Sequence, residues 1–97
     1  MDLLVRGEIW YWRGPAPYHY VTVPEPQSDD IHDVARDVTY GWGMIPVVAQ
    51  IGGTTWETSL FPKDGLYVVP IKDEVRAAEG LDVGDVVTVG LEVRPRR

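Results

Sequence analysis

Gly52-Gly53-Thr54-Thr55-Trp56-Glu57-Thr58-Ser59-Leu60-Phe61-Pro62-Lys63-Asp64-Gly65-Leu66-Tyr67-Val68-Val69-Pro70 is followed by Ile71-Lys72-Asp73-Glu74-Val75-Arg76-Ala77-Ala78-Glu79-Gly80-Leu81-Asp82-Val83-Gly84-Asp85. The stretch predicts a turn, a strand, a tight hairpin, a second strand, a short helix and a turn into the last strand. Thr54 to Phe61 alternates, with Trp56, Thr58 and Leu60 on one side and Glu57, Ser59 and Phe61 on the other. Pro62-Lys63-Asp64-Gly65 is the hairpin turn, where Gly65 can take positive φ. Leu66 to Val69 is a strand that Pro70 stops. Asp73 to Glu79 is a helix with Val75 and Ala78 facing inward. Gly80 is placed to end it, and Leu81 supplies the apolar contact that follows such a cap.

Outward from that stretch the pattern stays mainly β. Leu3 to Trp12 has period two, with Leu3, Val5, Gly7, Ile9 and Tyr11 on the inward face, and is read as one long strand. Arg13-Gly14-Pro15-Ala16-Pro17 breaks it. Tyr18 to Val23 is a second strand. Ser28 is a candidate N-cap for an amphipathic helix whose apolar stripe is Ile31, Val34, Ala35 and Val38. Thr39 to Gly43 is a loop, Ile45 to Ile51 a strand, and Gly52-Gly53 a turn. Val86 to Val93 is the last strand, with Val87, Val89, Leu91 and Val93 inward. Arg94-Pro95-Arg96-Arg97 reads as a frayed basic tail.

A weak internal repeat runs through this order. Tyr20-Val21-Thr22-Val23-Pro24 and Tyr67-Val68-Val69-Pro70 each lead into a helix. Two β-β-α-β halves supply six strands and two short helices. Small all-β chains avoid exposed edges by closing into a barrel. The expected fold is therefore a six-stranded closed β-barrel in a single domain spanning residues 1–97.

Composition narrows the function classes. The chain has 97 residues, enough for one modest core in which roughly 60–65% of the accessible surface is buried. There is no Cys, which removes disulfides, thiolate ligands and a Cys nucleophile. The cysteine usage fits a cytoplasmic protein. No apolar run approaches the ~18 residues of a membrane span, and the N-terminus lacks a signal-peptide pattern. Fifteen acidic against nine basic residues give a net charge of -6, which argues against a nucleic-acid partner. Four Trp and five Tyr stand against one Phe, a balance suited to half-buried sites and binding surfaces.

Gly41-Trp42-Gly43, Ile45-Pro46-Val47, Ile51-Gly52-Gly53, Trp56, Thr58-Ser59-Leu60-Phe61-Pro62, Gly65-Leu66-Tyr67, Pro70, Val75-Arg76, Gly80-Leu81 and Gly84-Asp85 resemble a bacterial family, numbered 1905 among the domains of unknown function. The likeness runs from about Leu3 to Val93. It implies a small β-barrel of the double-split type and carries no established activity. Within it, Val69 to Arg76 with Gly80-Leu81 and Gly84-Asp85 is similar to the swapped-hairpin motif of transition-state regulators and antitoxin partners. In those proteins two chains each give half a barrel, whereas here one chain holds both halves. That likeness speaks to fold and does not carry DNA binding with it.

Candidate site residues follow from chemistry. Trp10, Trp12 and Trp56 are placed to line an apolar pocket or to cover the barrel. Lys72 and Arg76 stand near a helix end, either to hold an anion or to pair with Asp73, Glu74 or Glu79. Ser59 precedes Lys63 by four residues, which raises a Ser–Lys nucleophilic pair. A lysine in a hairpin turn should point to water, so no catalytic residue is assigned. His19 and His32 lack metal-ligand spacing, and no metal or cofactor is expected. The leading expectation is a non-enzymatic module, monomer or weak homodimer, that binds a small molecule or protein through an aromatic-rimmed surface. A small enzyme using Ser59, Lys63, Lys72 or Arg76 comes second, and a regulator by fold analogy third.

Overall fold

The computed structural model describes residues 1–15, 17–38 and 43–94, with the side chains of 36–38 excepted. The loop at Thr39 to Trp42 and most of the basic tail lie outside the described residues. The chain runs β1 (Asp2–Glu8), β2 (Trp10–Trp12), β3 (Tyr18–Val23), α1 (Glu25–Val38), β4 (Ile45–Ile51), β5 (Thr54–Lys63), β6 (Leu66–Pro70), α2 (Asp73–Glu79) and β7 (Val86–Val93).

The expected closed six-stranded barrel does not form. The described residues make one seven-stranded antiparallel sheet in the order β1-β7-β4-β5-β6-β3-β2. It is an open half-barrel that curls through 223° and leaves its edges 6 Å apart. The reason lies at Ile9. The stretch from Leu3 to Trp12 changes partner there, pairing with β7 before it and with β3 after it. Ile9 itself donates its N–H to the Asp85 carbonyl and accepts from the Gly84 N–H, each at 2.9 Å. One continuous segment thus supplies both edges of the sheet, and no ladder joins β1 to β3. They meet through side chains instead. A Cβ on Gly7 would stand 2.9 Å from Val21 Cγ1 and 3.3 Å from the Thr22 carbonyl oxygen, so glycine is what lets β1 and β3 approach.

The strand β5 makes the opposite corner. It pairs with β4 through Leu60 and with β6 from Phe61 to Lys63. It is longer than the pattern predicts, and the turn is the two residues Asp64 and Gly65, with φ of 54° and 83°. Positive φ at both centres is the signature of a type I′ hairpin, for which Asp-Gly is a preferred pair. Pro62 is tolerated inside the strand because β4 no longer flanks it.

The core lies inside the curl. It takes Val5 and Ile9, Val21 and Val23, Ile45, Val47, Ala49 and Ile51, Trp56 and Leu60, Tyr67 and Val69, and the odd residues of β7. The inward assignments for β7 hold, as do Val5 and Ile9. Tyr11 is 40% exposed rather than inward, since β2 runs past the break. In α2, Val75 is buried and Ala78 is exposed, because seven residues let the helix present only one position to the core. Gly80 caps α2 in the left-handed region with φ 64°, and the Leu81 N–H reaches the Arg76 carbonyl at 2.9 Å.

Helix α1 starts at Glu25, three residues before the expected cap. Pro26 fits in the first turn, where the missing N–H has no helical partner to lose. Ser28 is therefore inside the helix and fully buried. Its hydroxyl donates to the Val23 carbonyl at 2.9 Å and accepts the Tyr67 N–H at 3.2 Å. Those two backbone groups face each other at the last pair of the β3–β6 ladder, so one hydroxyl completes the ladder and anchors α1 to it. Gln27 also reaches the free edge of β1, donating to the Leu4 carbonyl at 3.3 Å.

Two outcomes are expected. Ser28→Ala leaves a buried donor and acceptor unpaired and should destabilise by about 1–3 kcal/mol, read as a lower urea midpoint with an unchanged m-value. Gly7→Ala should cost about 1–3 kcal/mol through overpacking, and less in a Val21→Ala background, since the two positions share one space.

Candidate functional site: the outer aromatic face

The two outer faces of the half-barrel differ in chemistry. Over β1, β7 and β4 the outward side chains include Asp2, Arg6, Glu8, Thr88, Gln50 and Glu92, an ordinary solvated surface. A shallow depression of about 240 Å³ lies there, lined by Asp2, Leu3, Leu4, Gly90, Leu91 and Glu92. It exists because Gly90 has no side chain opposite Leu4, which is left 71% exposed. Its lining is mostly apolar, with the paired Asp2 and Glu92 as its charged members, so it has few groups to orient a ligand with.

Over β2, β3, β6 and the end of β5 the outer face is aromatic. Period-two alternation puts Tyr18, Tyr20 and Thr22 outward on β3, opposite Val21 and Val23 in the core. The register sets Trp12 beside Tyr18 and Trp10 beside Tyr20. On the other flank it sets Val68 beside Thr22, and Phe61 beside Val68. Tyr20 is the hub. Its ring centroid lies 5.4 Å from Trp10, 6.1 Å from Trp12, 5.9 Å from Tyr18 and 5.3 Å from Phe61. The Phe61 and Tyr18 contacts are edge-on, the arrangement ring quadrupoles favour. Tyr20 and Val68 are buried to 3% and 1% exposure, yet neither belongs to the barrel core. They form a second, smaller cluster on the outside, with Trp10, Trp12, Tyr18 and Phe61 half-buried around them.

Polar contacts hold this face in place. The Trp10 indole N–H donates to Thr22 Oγ1 at 2.9 Å. Gly14 lies against the Trp12 indole so closely that a Cβ there would run into the ring. Lys63 Nζ sits 5.0 Å from the Trp12 ring centroid and 3.3 Å from an Asp64 carboxylate oxygen. A cation over indole at a partly exposed site contributes ~0.5–1 kcal/mol. At the rim, Arg13 lies 5.8 Å over Tyr11, which also contacts His19.

Burial pushes the Tyr18 and Tyr20 hydroxyls above the usual phenol range. For Tyr18 the Asp73 and Glu74 carboxylates at the start of α2 add to the effect, opposed by Arg76 and by a hydrogen bond with the Asp73 backbone. Burial alone raises Tyr67. All three are neutral phenols near pH 7.

The residues singled out from sequence divide. Trp10 and Trp12 stand on the aromatic face. Trp56 does not: it is 7% exposed in the core, its indole N–H directed to the Pro70 carbonyl at 3.2 Å. Ser59 is outward on β5, on the same side as Phe61 and Lys63. It lies four strand positions from Lys63, about 13 Å along an extended chain, too far for a hydrogen-bonded Ser–Lys pair. Lys72 stands just before α2. Arg76 is tied within the α2 region, 3.7 Å from Asp73 and 3.4 Å from the Leu81 carbonyl. Among the described residues no three His, Asp or Glu side chains gather as a metal site. Tyr18, Tyr20 and Phe61 complete the face and are not among the sequence candidates, while Lys63, a candidate partner for Ser59, lies over Trp12 instead. The available signal was Tyr18 and Tyr20 sharing the alternation phase opposite to Val21 and Val23.

A seven-stranded open half-barrel with two helices and an outer aromatic cluster is the class of domain these observations define. The family model described as Domain of unknown function (DUF1905) matches residues 6–91, and the chain belongs to that family. No curated protein matches the chain. Among the described residues no helix is long and apolar enough to cross a membrane.

The raised tyrosines set an alkaline limit. The folded state holds these protons more tightly than the unfolded chain does, so their contribution is present below the unfolded value of about 10 and lost as pH rises through the folded values. Melting temperature should be level across the neutral range and fall above about pH 10, in step with tyrosinate absorbance. Tyr20→Phe should reduce the slope, and a fall beginning near neutrality would count against this assignment.

Proposed function

We propose that this domain is a non-enzymatic binding module that takes a small molecule or a protein segment on its outer aromatic face. The observation that carries this reading is the burial of Tyr20 and Val68 outside the core, beneath rings from β2, β3 and β5. The opposite outer face is of mixed polarity and carries no aromatic ring among its described outward residues. On the face around Tyr20 the fold orders five aromatic rings and leaves Trp10, Trp12, Tyr18 and Phe61 partly open to solvent. Trp and Tyr offer large rigid contact area with few rotatable bonds, so little entropy is lost when a partner is held against them.

Intrinsic fluorescence tests the proposal. Trp10 and Trp12 are half-buried on the face, while Trp56 is buried in the core and serves as an internal reference. In titrations against metabolites, peptides and oligonucleotides, a ligand of the face should change the emission saturably. Trp12→Ala should weaken that ligand by about 1–3 kcal/mol, a hot-spot-sized loss, without a matching loss of fold by circular dichroism. Saturable binding that Trp12→Ala and Phe61→Ala both leave intact would place the site elsewhere and remove this face from the reading.

A further inference from the structure

We infer that the outer face over β1 and β7 is a self-association surface, on which a second copy of the chain packs with its strands reversed. This surface is separate from the aromatic face, and its character lies in the order of side chains along the β1–β7 ladder. The outward pairs are Asp2 with Glu92, Leu4 with Gly90, Arg6 with Thr88 and Glu8 with Val86. Arg94 joins this face through its ion pair with Glu92 at 3.6 Å. At the centre, Leu4 is 71% exposed beside the depression over Gly90. A Cβ at Gly90 would stand 3.8 Å from Leu4 Cδ2 and 3.9 Å from the Gln50 carbonyl oxygen, ordinary contact distances, so the hollow has room for an added apolar group. An apolar knob beside a hollow on one surface is self-complementary, as a twofold contact between identical chains requires.

Charge fixes the orientation. Asp2 and Glu92 are like charges directly opposite each other, an unfavourable cross-strand pair. Arg6 makes no ion pair among the described residues. Asp2 stands two residues before Leu4 and Arg6 two residues after it, each about 7 Å away along the strand. A twofold axis lying across the strands at Leu4 and Gly90 reverses the strand direction. It sets Arg6 of each copy over Asp2 and Glu92 of the other, and brings Glu8 of each toward Arg94 of the other. Leu4 meets Leu4 at the axis, with the space over Gly90 to take their methyl groups. A twofold axis along the strands would instead stack Asp2 on Glu92, like charge on like. A uniformly acidic or basic partner matches part of this alternating row and repels the rest, whereas a reversed copy matches all of its charges. The contact is small. Strands β1, β7 and β4 lie about 4.8 Å apart and rise about 3.4 Å per residue, so the face spans about 14 by 24 Å. That is well below the roughly 800 Å² per partner of standard interfaces, and the outward curve of the sheet narrows it further. The dimer is therefore transient, and it leaves the aromatic face of each copy uncovered.

The test is sedimentation equilibrium of the intact chain from micromolar to millimolar protein. The expected result is an average mass that rises above the monomer value with concentration, and rises less in high salt, which screens exposed charge pairs. Leu4→Asp should hold the chain at monomer mass with an unchanged circular dichroism spectrum. Arg6→Glu should weaken association several-fold, and Asp2→Lys added to the same chain should restore most of it. Asp2 and Arg6 lie about 14 Å apart within one chain, so that rescue acts between copies. Monomer mass at millimolar protein overturns the inference. So does association that persists in both Leu4→Asp and Arg6→Glu; if Trp12→Ala abolishes it instead, the second copy sits on the aromatic face. A dimer broken by Arg6→Glu and not recovered by the added Asp2→Lys overturns the reversed packing.

Discussion

Everything in this domain depends on how one strand edge is satisfied. Backbone N–H and C=O groups need partners wherever water is excluded, and residues 2–12 must provide them for both ends of the sheet. They do so by changing partner at Ile9, whose own backbone groups are taken by Gly84 and Asp85. The half-barrel stays open because β1 and β3 meet by packing, Gly7 against Val21, and not by a ladder. Helix α1 lies against the same region. Its Ser28 hydroxyl joins the last groups of β3 and β6, and its Gln27 reaches the β1 edge.

The break at Ile9 also creates the aromatic face. Before it, the even positions of the first segment, Leu4, Arg6 and Glu8, belong to an outer surface of mixed polarity. After it, the even positions Trp10 and Trp12 meet Tyr20 and Tyr18 across the β2–β3 ladder. The corner in β5 does the same on the other flank by bringing Phe61 and Lys63 beside β6. Two corners, each made by a strand exchanging neighbours, thus enclose one patch of sheet and gather its rings around Tyr20. Aromatic pairs of this kind add about 0.5–1.5 kcal/mol beyond area burial. The cluster therefore stabilises the outer layer while it presents a surface.

Much of the fold is legible in the chain. The Asp64-Gly65 hairpin, the Gly52-Gly53 turn, the Gly80 cap and the inward phase of β7 rest on local rules of φ and period, and local rules are what a sequence states most directly. A serine before an acidic pair looks like a cap, whereas Pro26 allows the helix to begin earlier and moves the Ser28 hydroxyl to a tertiary task. Closure of the barrel is not legible in the sequence, because period two does not say which neighbour a strand has. Leu3 to Trp12 reads as one strand under any periodicity, and only the positions of β7 and β3 reveal that it serves two ladders.

The aromatic site shows the same division. Composition alone marks an excess of Trp and Tyr, and alternation alone puts Trp10 and Trp12 in one phase. Neither separates these two from Trp56, which shares their residue type and ends in the core with its N–H on Pro70. Neither joins Phe61 to Tyr20, forty-one positions away in the chain, because that contact requires β6 to lie between them. What the sequence by itself determined is the set of strands and turns and the supply of rings, since φ preferences and period act within a few residues. What the tertiary structure decided is which rings share a surface and whether the sheet closes, since both depend on pairings between segments far apart in the chain.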